Sequence, residues 1–221
     1  MAAQHGGFAM LVGAKAARTP AGAALVLPSE ALAEQVAGEW RDDRPPAGRL
    51  ATRLACAAID GDPAARRVMV EEIAGFARHD LVCYPAEQPA ALSGRQAATW
   101  GPLRVWAAET FGVRLLADPG GGGIDQPAES IAALERFLGA LDPFQLIGLF
   151  AAARLFSSAV LALALMTGRL DGGAAHAAAR LEEAFQQERW GEDAEAVKRA
   201  EGMLAEAIRL EAWFAALRTA I

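Results

Sequence analysis

Cysteine, histidine and tyrosine are scarce in this chain of 221 residues, which holds two, three and one of them. Cys56 and Cys83 stand far apart with no Cys-x-x-Cys pair, which excludes a disulfide framework and a thiolate metal site. Both read as small core residues in a reducing compartment. His5, His79 and His176 do not pair with another histidine, cysteine or acid at ligand spacing. The His79-Asp80 doublet lacks the further histidines that a metal phosphohydrolase needs, so neither a metal nor another cofactor is expected. Basic residues are in the minority, 21 against 27 acids with a sequence pI near 5.2, which argues against nucleic acid and anionic lipid as partners. The start, "MAAQHGGFAMLVG", has neither the basic and apolar regions of a signal peptide nor an arginine-rich transit composition. The expected location is the cytoplasm, and the heavy use of Ala, Gly and Arg points to a GC-rich bacterial coding sequence. No Gly-x-Ser-x-Gly elbow occurs, and acids such as Glu195 face their own i+4 bases, here Arg199. These absences weigh against an enzyme.

Glycine and aliphatic residues, by contrast, are plentiful. The run Gly120 to Gly123 fails as a phosphate cradle: dinucleotide spacing would put glycine at Asp125, and no Gly-Lys-Ser/Thr ending follows, so it reads as a loop. The stretch "LIGLFAAARLFSSAVLALALM", Leu146 to Met166, is long enough to cross a bilayer. Arg154 near its middle would cost about 2.5–3.5 kcal/mol in a membrane, and no basic cluster flanks it. The stretch is therefore read as a central helix covered by neighbours, with Arg154 reaching a carboxylate or carbonyl within the helical domain and Ser157-Ser158 bonding back to helix carbonyls.

The pattern along the chain predicts an α+β fold, with a small N-terminal domain of strands and helices over 1–87 and a mainly helical domain over 88–221. Phe8 to Val12 and Ala23 to Leu27 form a hairpin candidate. Ser29 caps a helix with Leu32, Val36 and Trp40 on one face; Leu50, Leu54, Ala57 and Ala58 mark a second; Asp62-Pro63 opens a third through Arg78. "DLVCYP" reads as a buried strand, and "GVRLLAD" as one last strand near 113–117. Beyond it lie helices carrying Ile131, Leu134, Leu138 and Leu141, the apolar stretch, a helix over 174–189 and another over 193–220.

Between those last two helices stands "ERWGEDAEA", Glu188 to Ala196. Gly191 breaks one helix and Asp193 caps the next, which leaves Trp190 and Glu192 without a local role. Either Trp190 only plugs the seam between the helices, or the aromatic and its acids also meet a protein partner; on both readings the ring is expected to be at least partly packed in the seam before the final helix.

Six stretches, in order, resemble one family, the assembly chaperones of ATP synthase that bind the alpha subunit of its F1 head. They are "ARTPAGAALVLPSEALAEQVAGEW" (Ala17 to Trp40), "TRLACAAID" (Thr52 to Asp60), "DLVCYPAEQPAALSGRQAATWGPLRVWA" (Asp80 to Ala107), "LDPFQLIGL" (Leu141 to Leu149), "SSAVLALAL" (Ser157 to Leu165) and "WGEDAEA" (Trp190 to Ala196). The resemblance implies an α+β domain followed by a helical one, no catalysis and no cofactor. It also implies a client, the free alpha subunit, whose beta-facing surface is shielded until beta replaces the chaperone. The location would be the cytoplasm in a bacterium and the mitochondrial matrix in a eukaryote. Trp190, Glu192 and Asp193 become the expected partner-binding residues, facing a basic patch. Two departures from the family pattern stand out: the strand usually found before Gly7-Phe8 is expected to be missing, leaving the first sheet incomplete, and glycines replace the hairpin-like stretch before Gln126-Pro127. Two other classes stay open at this point, an enzyme handling a nucleotide or small ligand in the interdomain cleft and a membrane-associated adaptor anchored by Leu146 to Met166.

Overall fold

The computed structural model describes residues 2–4, 7–42, 45, 48–191 and 193–218. His5, Glu192 and the helix end expected at Ala220 lie outside them. A small strand region comes first. β1 (Ala2–Gln4) pairs antiparallel with β2 (Gly7–Ala9), and β2 with β5 (Val26–Leu27), in the registers Ala3↔Phe8 and Phe8↔Leu27. A strand therefore does precede Gly7-Phe8, contrary to the expectation of an incomplete sheet. β3 (Leu11–Val12) and β4 (Lys15–Ala16) form a separate two-stranded tip between the paired strands.

Ten helices follow among the described residues. Ser29 starts α1 (Glu30–Arg41): its Oγ accepts from the Leu32 N–H at 3.1 Å and donates to the Ala216 carbonyl at 2.8 Å, so one hydroxyl caps the helix and ties it to the end of the chain. α2 (Leu50–Asp60) has no side-chain cap of its own. The buried Glu39 of α1 supplies one, accepting from the N–H groups of Ala51 and Thr52 at 2.8 and 2.9 Å and from the Thr52 hydroxyl at 2.7 Å. A carboxylate there also faces the positive end of the α2 dipole. Asp62 caps α3 (Pro63–Arg78) as its Asp-Pro pair predicts.

Where a strand is expected at "DLVCYP", the chain makes a 3₁₀ turn, Leu81–Cys83. The apolar run is too short to pair, and the Asp80 side chain closes the turn by accepting from the Val82 N–H. α4 (Ala90–Phe111) runs through Gly101-Pro102 without stopping and ends at Gly112, which takes a left-handed φ of 72°. Residues 113–117, expected as a strand, pair with no strand among the described residues. The Arg114 N–H and carbonyl bond the Ser130 hydroxyl, and those of Leu116 bond the Gln126 side chain, so side chains stand in for the ladder. α5 (Ala128–Ala140) buries Ile131, Leu134 and Leu138.

The apolar stretch is two helices. α6 (Pro143–Phe156) opens on a reciprocal capping box between Asp142 and Gln145. Ser157 then turns the chain at φ 51°, and Ser158 caps α7 (Ala159–Thr167). Neither serine sits inside a helix as expected. The break is directed by Asp80, whose carboxylate accepts from the Ser158 hydroxyl at 2.5 Å and the Val160 N–H at 3.0 Å. Residues 159–165 are all buried, and α7 forms the middle of a hydrophobic core that runs from Leu27 and Leu32 through Ile73 and Val82 to Leu134, Leu149 and Phe214. No described helix is long and apolar enough to cross a membrane. Arg154 is exposed and pairs at 3.5 Å with Glu72 of α3, a carboxylate from the N-terminal part of the chain and not from 88–221 as expected, because α3 packs against α6.

α8 (Gly172–Ala179), α9 (Leu181–Trp190) and α10 (Ala194–Arg218) complete the chain; the single helix expected over 174–189 is broken at Arg180. α10 lies close against its neighbours. A Cβ at Gly148 would run into the Trp213 ring, and one at Gly172 would sit 2.8 Å from the Ala207 backbone.

Candidate partner-binding corner

The WGED corner joins α9 to α10. Gly191 has φ 89° and ψ 169°, a conformation that L side chains rarely adopt, which is why this helix ends on glycine. Asp193 accepts from the Ala196 N–H at 3.2 Å and starts α10. Trp190 is not packed in the seam: it is 78% exposed, the most exposed of the large hydrophobic residues among those described. The expectation of a buried plug fails because α9 turns a different side to the protein. Phe185 is the one residue that α9 buries, and the guanidinium groups of Arg95 and Arg189 lie 5.2 and 4.9 Å from its ring centre. Arg95 also donates to both carboxylate oxygens of Glu188 at 2.8 Å, which holds the Glu188 carboxyl below its usual range. With Phe185 and Glu188 directed at α4, Trp190 faces outward.

Beside Trp190 lies an open groove of about 410 Å³ bordered by Arg180, Glu183, Gln187, Asp193 and Arg199. Arg199 pairs with Glu195 at 2.8 Å and approaches Asp193 at 4.0 Å. His176, under the same helices, is held neutral to lower pH than usual by burial and then by the nearby Arg180. The corner thus combines an aromatic ring with charges of both signs in solvent, a composition suited to a protein surface and offering no nucleophile. Of the sequence-predicted site residues the structure brings Trp190 and Asp193 together, while Glu192 is not among those described. The groove also takes in Arg180, Glu183 and Arg199, which were not singled out from the sequence as candidates. The signal was present in spacing, since Glu183, Gln187 and Trp190 recur every three or four residues on one face of α9.

Other chemically suggestive places resolve as structural. Asp80 is fully buried with its acceptors occupied, and His79 caps the end of α3. Among the described residues no group of three or more His, Cys, Asp or Glu could hold a metal ion. In the glycine loop the Gly123 N–H donates to Asp118 at 2.8 Å, and Glu87 crowds Gly120, so carboxylates stand where a phosphate would need free donors.

A family model described as ATP12 chaperone protein matches residues 1–108. The crystal structure of Atu1473 protein from Agrobacterium tumefaciens is similar at 37% identity and a TM-score of 0.88, over 97% of this chain and 82% of that one. The crystal structure of Atp12 from Paracoccus denitrificans is similar at 36% identity and a TM-score of 0.86, over 96% of this chain and 91% of that one. The chain belongs to the ATP12 chaperone family. As an ATP12 chaperone it is a non-catalytic ATP synthase assembly factor, and the architecture of short strands followed by packed helices is the family's fold. In an ATP12 chaperone the residues of interest are those that offer a surface.

Proposed function

We propose that this ATP12 chaperone binds the free alpha subunit of the F1 head, covers its beta-facing surface until beta takes its place, and uses Trp190, Glu192 and Asp193 in that contact. A chaperone acting by occupancy must hide an apolar surface that would otherwise self-associate, and must bind it less tightly than the final partner does. The observation that carries the reading is the exposure of Trp190. Leaving so large a ring in water forgoes the burial that a purely structural tryptophan would gain, and exposed aromatics flanked by charges are typical anchors of protein contacts. Asp193 and Glu192 beside it suit a basic patch on the client. The bacterial cytoplasm is the compartment in which this client would be met.

Co-expression with the cognate alpha subunit tests the proposal. Trp190→Ala should leave stability within about 0.5 kcal/mol, because an exposed side chain makes few contacts, yet lower the yield of co-purified alpha about tenfold. Glu192→Lys should behave likewise. Undiminished yield from both folded variants would reduce the corner to a turn between helices.

A further inference from the structure

On the other side of α9 from the Trp190 groove lies a larger one, of about 610 Å³, between α4 and the α8–α9 pair. Its walls are small and aliphatic, with Ala98 and Pro102 from α4 facing Ala177 of α8 and Leu181 of α9. A surface helix of a globular protein normally turns a charged face outward. α4 does not: between Arg95 and Glu109 its exposed residues are Ala97, Ala98, Pro102 and Val105, the last 57% exposed. This stretch is an unpartnered apolar helix face leading into an apolar groove.

Its charges are of one sign. Among the described residues the charged ones lining the groove are Arg95 and Arg169, in a chain whose formal net charge is −6. Arg95 is already engaged by Glu188, whereas exposed Arg169 has no acid or carbonyl partner among the described residues. Pro102, on the groove wall, has no N–H of its own to give the helix. Small walls let another backbone come close, a cation awaits a carboxylate, and the length of α4 provides a track. These are the requirements of helix-in-groove recognition.

We propose that this groove is a second docking surface for the client, taking a helical segment with an aliphatic face and a carboxylate placed to reach Arg169. The inference rests on the alpha-subunit reading for the identity of the client and extends the contact across α9, so that the client grips the helix from both sides.

Two arms test it. In the first, alpha is co-purified with the wild type, with Ala177→Trp, which fills the groove from an exposed position, and with Arg169→Glu. Both variants should melt as the wild type does and retain about tenfold less alpha, and a photocrosslinker at position 177 should attach to alpha beside an acidic residue. Full retention by both variants, with no crosslink from 177, overturns the groove while leaving the client reading intact. In the second arm a fluorescein-labelled helical peptide with a Leu/Ala face and two glutamates is titrated onto the full chain, beside its lysine counterpart. The wild type should prefer the acidic peptide by about fivefold or more, and Arg169→Glu should reverse that preference. If wild type retains no alpha, the client reading fails and the peptides decide the groove. Equal binding of the two peptides, or none, overturns it.

Discussion

Replacing Asp80 with asparagine should reveal a carboxylate whose effect on stability opposes the usual acid denaturation. Asp80 is fully buried, and burial pushes its carboxyl from an ordinary 3.8 up to about 6, although the Ser158 hydroxyl and the N–H groups of Val160 and Val82 all favour the ionised form. Desolvation therefore outweighs the donors. Because the folded-state value is raised, the folded chain binds the proton more tightly than the unfolded chain. The stabilisation is fully present below about pH 3.8 and is lost as pH rises through about 6. Between about pH 7.5 and pH 5 the wild type should gain on the order of 1 kcal/mol relative to Asp80→Asn, from the linkage relation applied to a raised folded-state value. Urea unfolding of both proteins at each pH measures the difference, and the subtraction removes every carboxylate that they share. A difference independent of pH, or one that moves against the wild type on acidification, would mean that the donors win and that Asp80 stays ionised to low pH.

Glu39→Ala strips the N-terminus of α2 of its cap and leaves the Ala51 and Thr52 donors unpaired, which should cost about 2–4 kcal/mol and show as a lower urea midpoint. Gly148→Ala places a methyl group against the Trp213 ring and should destabilise by about 1–3 kcal/mol, measured the same way; an unchanged midpoint would mean that α6 and α10 separate easily. Cys83 should resist alkylation in the native state at about pH 8, since burial, and then the nearby Asp80 charge, push its thiol up to about 12; mass spectrometry after iodoacetamide treatment checks this, and full native labelling would refute it.

Local chemistry was legible where a single residue type decides the outcome. Ser29 and Asp62 each announce a helix start, and each caps one in the structure, because a cap needs only its own side chain and the next few N–H groups. The breaks that the sequence hid are those made by distant partners. Ser158 caps α7 locally, but two serines inside an apolar run do not by themselves announce that the chain turns there. The turn is directed by the carboxylate of Asp80, far off in the chain, which takes the hydroxyl of Ser158 and the first N–H groups of α7. The strand expected at "DLVCYP" failed for the same reason, since the acid that begins it is committed to the turn.

Trp190 shows the limit from the other direction. Its size predicts burial, and by its composition alone α9 could have turned that face inward. What reverses the face is a second aromatic five residues earlier: Phe185 takes the buried position, clasped by Arg95 and Arg189, and Glu188 fastens the helix to α4. At about 100° per residue, five positions carry Trp190 well around the helix from Phe185. The two aromatics cannot share one face, and it is Phe185 on whose ring two arginines stack. The exposure of Trp190 is thus a consequence of how α9 is held, and the corner proposed to meet the client and the groove across the same helix both depend on that one attachment.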